Sequence, residues 1–497
     1  MSTATAWAAA QARRKLGLLP SLVSFPALIA GCLAVLVFGT LRTRMSDPDL
    51  FWHLRNAQYF MAHHRLLGHD IFSYTVPGAA WIDHEWLSEL LYYAGYHALG
   101  WQGIYLVAGA LLAAIVVSVF YIARAEGADL IAAVLVMILG ALLMLVGFGP
   151  RMQHLGWLCF VAILAILLRY RSARQGPLWL LPLLFCIWIN AHGGWLIGGA
   201  VCALIVAAGL VRQDVGILAA EPWSAQDLKR LMATGAASVA ALFVNPYGYR
   251  LVLYPFDVMF RQKLNVQYVQ EWLPVNFRTP HGKIMMAALL AVLVGLCVGQ
   301  KRWRVHEILL ACFAVMMPLI HVRLLLLAGI VLPVILGRQF SGLSTYDPSQ
   351  ERPKVNLVLF AVLALICVLK YPSTAQLWKP VEAEYPAGAV AYIRDHELHG
   401  RVFQNYDWGG YFEWTLPETK VFIDSRTDIF EYAGVLKDYA DAVSLVRSRE
   451  VLDKYGIEYV VIERDSALAY LLNNTRGWRC TYNDKLAAIF ERAPGGL

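Results

Sequence analysis

Apolar runs long enough to cross a bilayer recur along the first three quarters of this chain, and that repetition decides most of what it can fold into. A spanning helix needs about 17 to 25 mostly apolar residues. Such runs fall near residues 21–40, 101–123, 128–148, 153–169, 177–190, 194–211, 230–245, 284–299, 306–321, 323–338 and 354–371. The expectation is an α-helical polytopic membrane protein with about eleven transmembrane helices. Composition agrees, since only 15% of the residues are charged against roughly 25% in a soluble chain. The net charge of +7 is spread through short loops rather than gathered into a block, so no nucleic-acid partner is expected.

Two further features bound the class. Seven of the eight cysteines lie inside apolar runs, Cys480 stands apart, and there is no CxxC, so no structural disulfide is expected. The N-terminal stretch QARRKLGLLPSLVSFPALIAGCLAVLVFGT joins a basic flank to an apolar run that is long for a signal-peptide core. It reads as an uncleaved first span, with Arg13-Arg14 at its cytoplasmic edge.

Loop charges set the expected orientation. ARRK, RYRSAR, QDLKR, QKRWR, Arg338 and the Arg352/Lys354 pair fall on one side, which the positive-inside rule assigns to the cytoplasm. The opposite side receives segment 41–100, the turn at Arg151, the turn NAHGG, segment 246–283 and everything beyond residue 372. The chain is thus expected in a bacterial cytoplasmic membrane, N-terminus inside and C-terminal domain extracytoplasmic. After LKYPSTAQLWKP the composition changes to that of a small α/β unit. AGAVAYIRDH has helical periodicity, KVFID and YVVIE are short β-branched runs, and KLAAIFER reads as a final strand. The expected domains are a membrane domain over 1–371, with a large first outer loop at 41–100, and a soluble domain over 372–497.

That first outer loop is far richer in chemistry than a connector needs. Asp47, Asp49, His53, His63, His64, His69, Asp70, Asp83, His84 and Glu85 stand among aromatics in it. In SDPDLFWHLR, Asp47 suits a helix N-cap, Pro48 the first helical position and Asp49 the first turn. Asp49 and His53 are four apart and share a helix face beside Trp52. WIDHEWLSELL crowds Asp83, His84 and Glu85 between Trp81 and Trp86. The turns on the same side add Arg151, His154, Asn190, His192, His321 and Arg323, and the 246–283 segment adds Glu271 and Trp272. Ionisable groups near membrane depth are costly and point to function.

DPDLFWHLR, HEWLSELL, NPYGYRLVLYPF and the tail NYDWGGYFEWTLPETKVFIDSRTD together resemble a bacterial branch of the GT-C superfamily, polytopic glycosyltransferases that use polyprenyl-phosphate-linked sugars. The resemblance covers nearly the whole chain. It implies a GT-C-like fold and an essential acid in the first outer loop, the place held here by Asp47 and Asp49, with Asp83 or Glu85 as a second acidic position. The oligosaccharyltransferase motif WWDYG is absent from the tail; DWGGYFEW is only superficially similar.

The function these readings imply is inverting transfer of a sugar from a polyprenyl-phosphate donor to a glycan, lipid or protein acceptor at the outer membrane face. Asp49 or Asp47 serves as base, with Glu85 and His84 orienting the acceptor. Arg151, Arg323 and Arg55 suit the departing phosphate. His53, Asp83, His192 and Glu271 complete the expected substrate-binding set. Asp47 and Asp49 are also the candidate ligands for a divalent cation, magnesium or manganese. In the tail, Tyr406, Asp407, Trp408, Asp424 and Arg426 can contact acceptor or serve as turn and core residues, with Gly409-Gly410 supplying backbone freedom and Asp424 a cap. The competing classes are a non-catalytic scaffold of an envelope complex and a lipid-linked-sugar transporter. No inverted repeat with broken spans supports the transporter.

Overall fold

In the computed structural model the described residues are 22–299, 301–344 and 346–493. The Arg13-Arg14 flank lies outside them. Each apolar run contains a helix, and the chain is a helical polytopic membrane protein with a small C-terminal sheet domain. Trp101–Ala125, Leu130–Gly147, Gln153–Ala173, Pro280–Val298 and Val322–Gln339 are long and apolar enough to cross a membrane, and Pro353–Leu369 joins Thr374–Glu384 through a 58° bend. Phe25–Leu41, Leu180–Ala191, Trp195–Ala208 and Val305–Ile320 are shorter apolar helices. Helix starts follow local chemistry: Ser24, Asp129 and Thr279 each cap a backbone N–H with a side-chain oxygen.

The centre of the bundle is Leu325–Gln339, in which every residue but Arg338 is buried. It packs on Leu130–Met144 through two small residues. A Cβ on Gly140 would sit 2.7 Å from the Gly329 carbonyl oxygen, and one on Gly329 would sit 2.6 Å from that of Gly140. Such small-residue contacts let helix backbones approach where apolar burial alone gives no preference over lipid.

The first outer loop folds as two helices, Leu50–His63 and Trp86–Leu99, with an irregular segment between them. The tail sheet runs Val402–Gln404, Tyr459–Glu463, Ala487–Arg492, Trp478–Asn483, the first pair parallel and the others antiparallel. Loop and tail share one apolar core, in which Trp52, Leu67, Val76 and Trp81 join Phe403, Phe422 and Ile423.

Three local expectations change here. KVFID is not a strand of the sheet. Its buried backbone is satisfied by the outer loop, through Tyr74 N–H to Val421 O (3.2 Å) and Val421 N–H to Phe72 O (3.0 Å), and by the Gln404 amide, which bonds Phe422 N–H (3.0 Å) and the Ile423 carbonyl. A side chain thus replaces a neighbouring strand. Gly409-Gly410 serves close approach rather than backbone freedom. Gly409 has helical φ −54°, and a Cβ there would lie 2.3 Å from Ile423 O. A Cβ on Gly410 would lie 3.0 Å from the Pro48 carbonyl oxygen, so the tail rests directly on the DPD turn. Finally, the helix after that turn begins at Leu50, with Asp49 at its N-cap position.

Candidate active site

Two acidic turns of the same design frame the site. Asp47 Oδ1 accepts the N–H of Asp49 at 3.1 Å, and Asp83 Oδ1 accepts the N–H of Glu85 at 3.2 Å. In each turn the first acid shapes the backbone. The second stands at the N-cap of the following helix without capping it, so Asp49 and Glu85 keep their carboxylates for other partners.

Around the first turn, Arg151 reaches Asp47 Oδ2 at 3.0 Å through Nε and binds Glu271 through Nη1. Burial pushes the Asp47 carboxyl up to about 7 against the pull of Arg151. Burial also opposes the Arg151 charge, but Asp47 and Glu271 outweigh it and hold the guanidinium above its usual value. Burial opposes the Glu271 charge too, and Arg151 and Arg323 overcome it, so that carboxyl lies below its ordinary range. Asp49 has no cation at ion-pair distance among the described residues. Trp52 Nε1 lies 3.4 Å from Asp49 Oδ1 and 2.9 Å from Ser425 Oγ of the tail. Burial raises the Asp49 carboxyl above its usual value.

Around the second turn, His53 lies between two glutamates, Nδ1 at 2.7 Å from Glu89 Oε1 and Nε2 at 3.2 Å from Glu85 Oε2. Asn56 Nδ2 donates to Asp83 Oδ2 (2.8 Å) and Glu89 Oε2 (2.6 Å). His192 Nε2 is 3.4 Å from Glu85 Oε1. His84 stacks on Tyr254 with ring centroids 4.5 Å apart. Burial holds Asp83 up at about 6 and His84 down at about 4.

The two groups are one site. The Trp52 and His53 rings lie 3.6 Å apart, and the Asp49 charge acts on Glu85. Arg323 acts on both sides, favouring the ionised forms of Glu85 and Glu271. Its guanidinium lies 4.5 Å over the Trp272 ring, and among the described residues it makes no ion pair within 4 Å, which leaves it open to an anion.

Of the residues expected from sequence, the structure brings together Asp47, Asp49, His53, Asp83, His84, Glu85, Arg151, His192, Glu271 and Arg323. Arg55 stands apart. Two residues past His53, it turns to another helix face and donates to Gln58 at 2.6 Å. Glu89, Asn56, Tyr254 and Ser425 were missed; the i, i+4 spacing of Glu85 and Glu89 was the available signal for the first. Asp424 and Arg426 are core residues. Arg426 is buried with Asp424 (2.5 Å), Asp70 of the loop (2.7 Å) and Glu413 (3.6 Å). The donor set does not fit a divalent cation. Asp47 is taken up by Arg151 and a backbone N–H, and among the described residues no three His, Cys, Asp or Glu side chains are grouped to hold a metal.

No protein-family model and no curated protein sequence matches the chain. Solved structures do match its fold. The oligosaccharyltransferase of Archaeoglobus fulgidus, tethered to an acceptor peptide containing the NVT sequon, superposes with TM-score 0.54 at 12% identity, over 89% of this chain and 70% of that one. The same organism's AglB with an inhibitory peptide and a dolichol-phosphate gives 0.51 at 12%, over 95% and 74%. ArnT from Cupriavidus metallidurans bound to undecaprenyl phosphate gives 0.50 at 15%, over 94% and 98%. The chain thus shares the fold of the Archaeoglobus oligosaccharyltransferase and of ArnT.

Proposed function

We propose that this chain is an integral-membrane glycosyltransferase that moves a sugar from a polyprenyl-phosphate donor to a hydroxyl-bearing acceptor at the outer face of the cytoplasmic membrane. The observation that carries the reading is the presence, in one GT-C-fold site, of a carboxylate, Asp49, and a guanidinium, Arg323, neither of which makes an ion pair among the described residues. Asp49 takes the proton from the acceptor hydroxyl as that oxygen attacks the anomeric carbon. Arg323 and Arg151, which both act on Glu271, neutralise the departing lipid phosphate. Glu85 orients the acceptor hydroxyl. A single displacement at carbon inverts the anomer. The polyprenyl phosphates bound by two of the fold's relatives, and the acceptor peptide on one, support the same class of donor and an acceptor on the same side.

The decisive experiment incubates the purified chain in proteoliposomes with a panel of radiolabelled polyprenyl-phosphate sugars. Released polyprenyl phosphate that disappears in Asp49→Asn supports the reading. No release from any donor, even with membrane extract added as acceptor, overturns it in favour of a scaffold.

A further inference from the structure

The hydrogen bonds around Glu85 can be counted proton by proton. Gly194 N–H donates to His192 Nδ1 at 2.9 Å, so the proton of a neutral His192 sits on Nε2, which faces Glu85 Oε1 at 3.4 Å. The other Glu85 oxygen faces His53 Nε2 at 3.2 Å. A carboxylate flanked on both oxygens by ring nitrogens is satisfied when it is ionised and both nitrogens donate. That puts the proton of His53 on Nε2 and leaves a lone pair at Nδ1, 2.7 Å from Glu89 Oε1. Two oxygens of an ionised Glu89 could not satisfy it. Glu89 Oε2 already accepts from Asn56 at 2.6 Å, so the donor must be a hydroxyl on Oε1.

We propose that Glu89 is a buried carboxylic acid that donates to His53 Nδ1, and that His53 thereby presents Nε2–H to an ionised Glu85. His53 and Glu89 are positioning residues that act through Glu85, and this role rests on the reading of Glu85 as the acceptor-facing carboxylate. Two other distributions of the same two protons have the same net charge. An imidazolium between two carboxylates separates three charges in a buried space. Burial raises both glutamates and lowers His53, which opposes that form. A hydroxyl on Glu85, with His53 donating from Nδ1 to an ionised Glu89, puts the charge on the carboxyl that is 2% exposed instead of the one that is 12% exposed and that Arg323 favours ionised. The remaining charged or titratable groups facing His53 are Asp49, Asp83, His84, His192 and Arg426. The arrangement is buried, with His53 and Glu89 3% and 2% exposed and the Trp52 ring laid against the imidazole. Asn56 joins Glu89 to Asp83, so the acidic turn and the histidine are held by one amide.

The test uses 15N-histidine-labelled full-length protein in lipid nanodiscs at neutral pH, with His53 assigned by its loss in His53→Gln. The expected spectrum has one protonated ring nitrogen, Nε2, and one bare nitrogen, Nδ1. Glu89→Gln should leave it unchanged, because a glutamine amide donates to Nδ1 while its carbonyl accepts from Asn56. Glu89→Leu should lose the tautomer preference. Two protonated ring nitrogens in the wild type, a single proton on Nδ1 instead of Nε2, or a displaced spectrum in Glu89→Gln, overturn the proposal. Should Glu89→Leu not fold, the infrared difference between wild type and Glu89→Gln decides: a protonated-carboxyl band supports the proposal, and ionised-carboxylate bands alone overturn it. These spectra need no substrate, so a failed transfer assay with the His53 signature intact overturns only the transferase reading.

Discussion

The two ends of the bundle both carry charged side chains and use them in opposite ways. The helix Gln153–Ala173, about 30 Å long at 1.5 Å per residue, joins them: Arg151 and His154 lie at its start, Arg171 and Arg174 at its end. At the far end the charges close into pairs. Arg171 binds Glu221 (3.1 Å), Arg304 binds Glu126 (2.9 Å) and Glu221 (3.4 Å), and Arg338 binds Glu307 (3.0 Å). At the site end charges are left over: among the described residues neither Asp49 nor Arg323 makes an ion pair, and His53 serves two glutamates. Paired charges at helix ends hold helices in place. Charges buried without partners are costly, and a fold retains them where a substrate brings the missing charge or proton acceptor.

The largest break in that contrast should come from Asp49→Asn. Removing a general base typically costs 10²- to 10⁴-fold in rate, and the variant should lose transfer by about that factor while its unfolding midpoint holds. Because burial raises the Asp49 carboxyl, and the base works only ionised, the wild-type rate should rise with pH through a limb above the ordinary carboxylate value of about 4. A limb at or below that value, or transfer undiminished in Asp49→Asn, would assign the base elsewhere.

Next in size is Arg426→Leu, which tests whether the tail is part of the site or an appendage. Arg426 is buried among Asp424, Asp70 and Glu413, and removing one partner of a buried charge network costs about 3–5 kcal/mol. The expected result is a lower unfolding midpoint and early proteolysis between residues 372 and 493, with transfer lost as Gly410 and Ser425 leave the DPD turn. An unchanged proteolysis pattern would mean that the shared apolar core alone seats the tail.

Arg323→Ala should weaken the donor side selectively. Loss of a charge-assisted phosphate contact worth about 1.5–3 kcal/mol predicts a rise in donor KM of roughly ten- to a hundredfold, with acceptor KM unmoved. Equal effects on both substrates would place Arg323 away from the phosphate.

What could be read from the chain beforehand follows the same division. The acids were legible because DPD and DHE interrupt hydrophobic surroundings, and periodicity put Asp49, Trp52 and His53 on one face. Glu89 was hidden inside WLSELLYY, where a glutamate looks like the solvated side of an amphipathic helix; only the opposing Asn56 and His53 reveal its use, and they come from a separate helix. Arg55 was chosen by chemistry alone, and the helix turns it away from His53, since two residues along a helix rotate a side chain about 200°. KVFID has strand composition, yet a glutamine side chain and a loop took its backbone bonds. That choice is tertiary and leaves no local trace.

The smallest effect should come from the paired end, and it is the sharpest control. Arg304→Ala removes contacts to Glu126 and Glu221 some 30 Å from the acidic turns, by the length of the connecting helix. If those pairs only fasten helices, the variant should transfer sugar at the wild-type rate while its unfolding midpoint falls, and Arg304→Lys, which keeps the charge, should hold more of the midpoint. Measured side by side with Asp49→Asn, the two variants should separate cleanly, one losing rate and the other stability. A loss of rate in Arg304→Ala with the midpoint held would mean that the far end communicates with the site, and the distinction between fastening charges and working charges would fail at that residue.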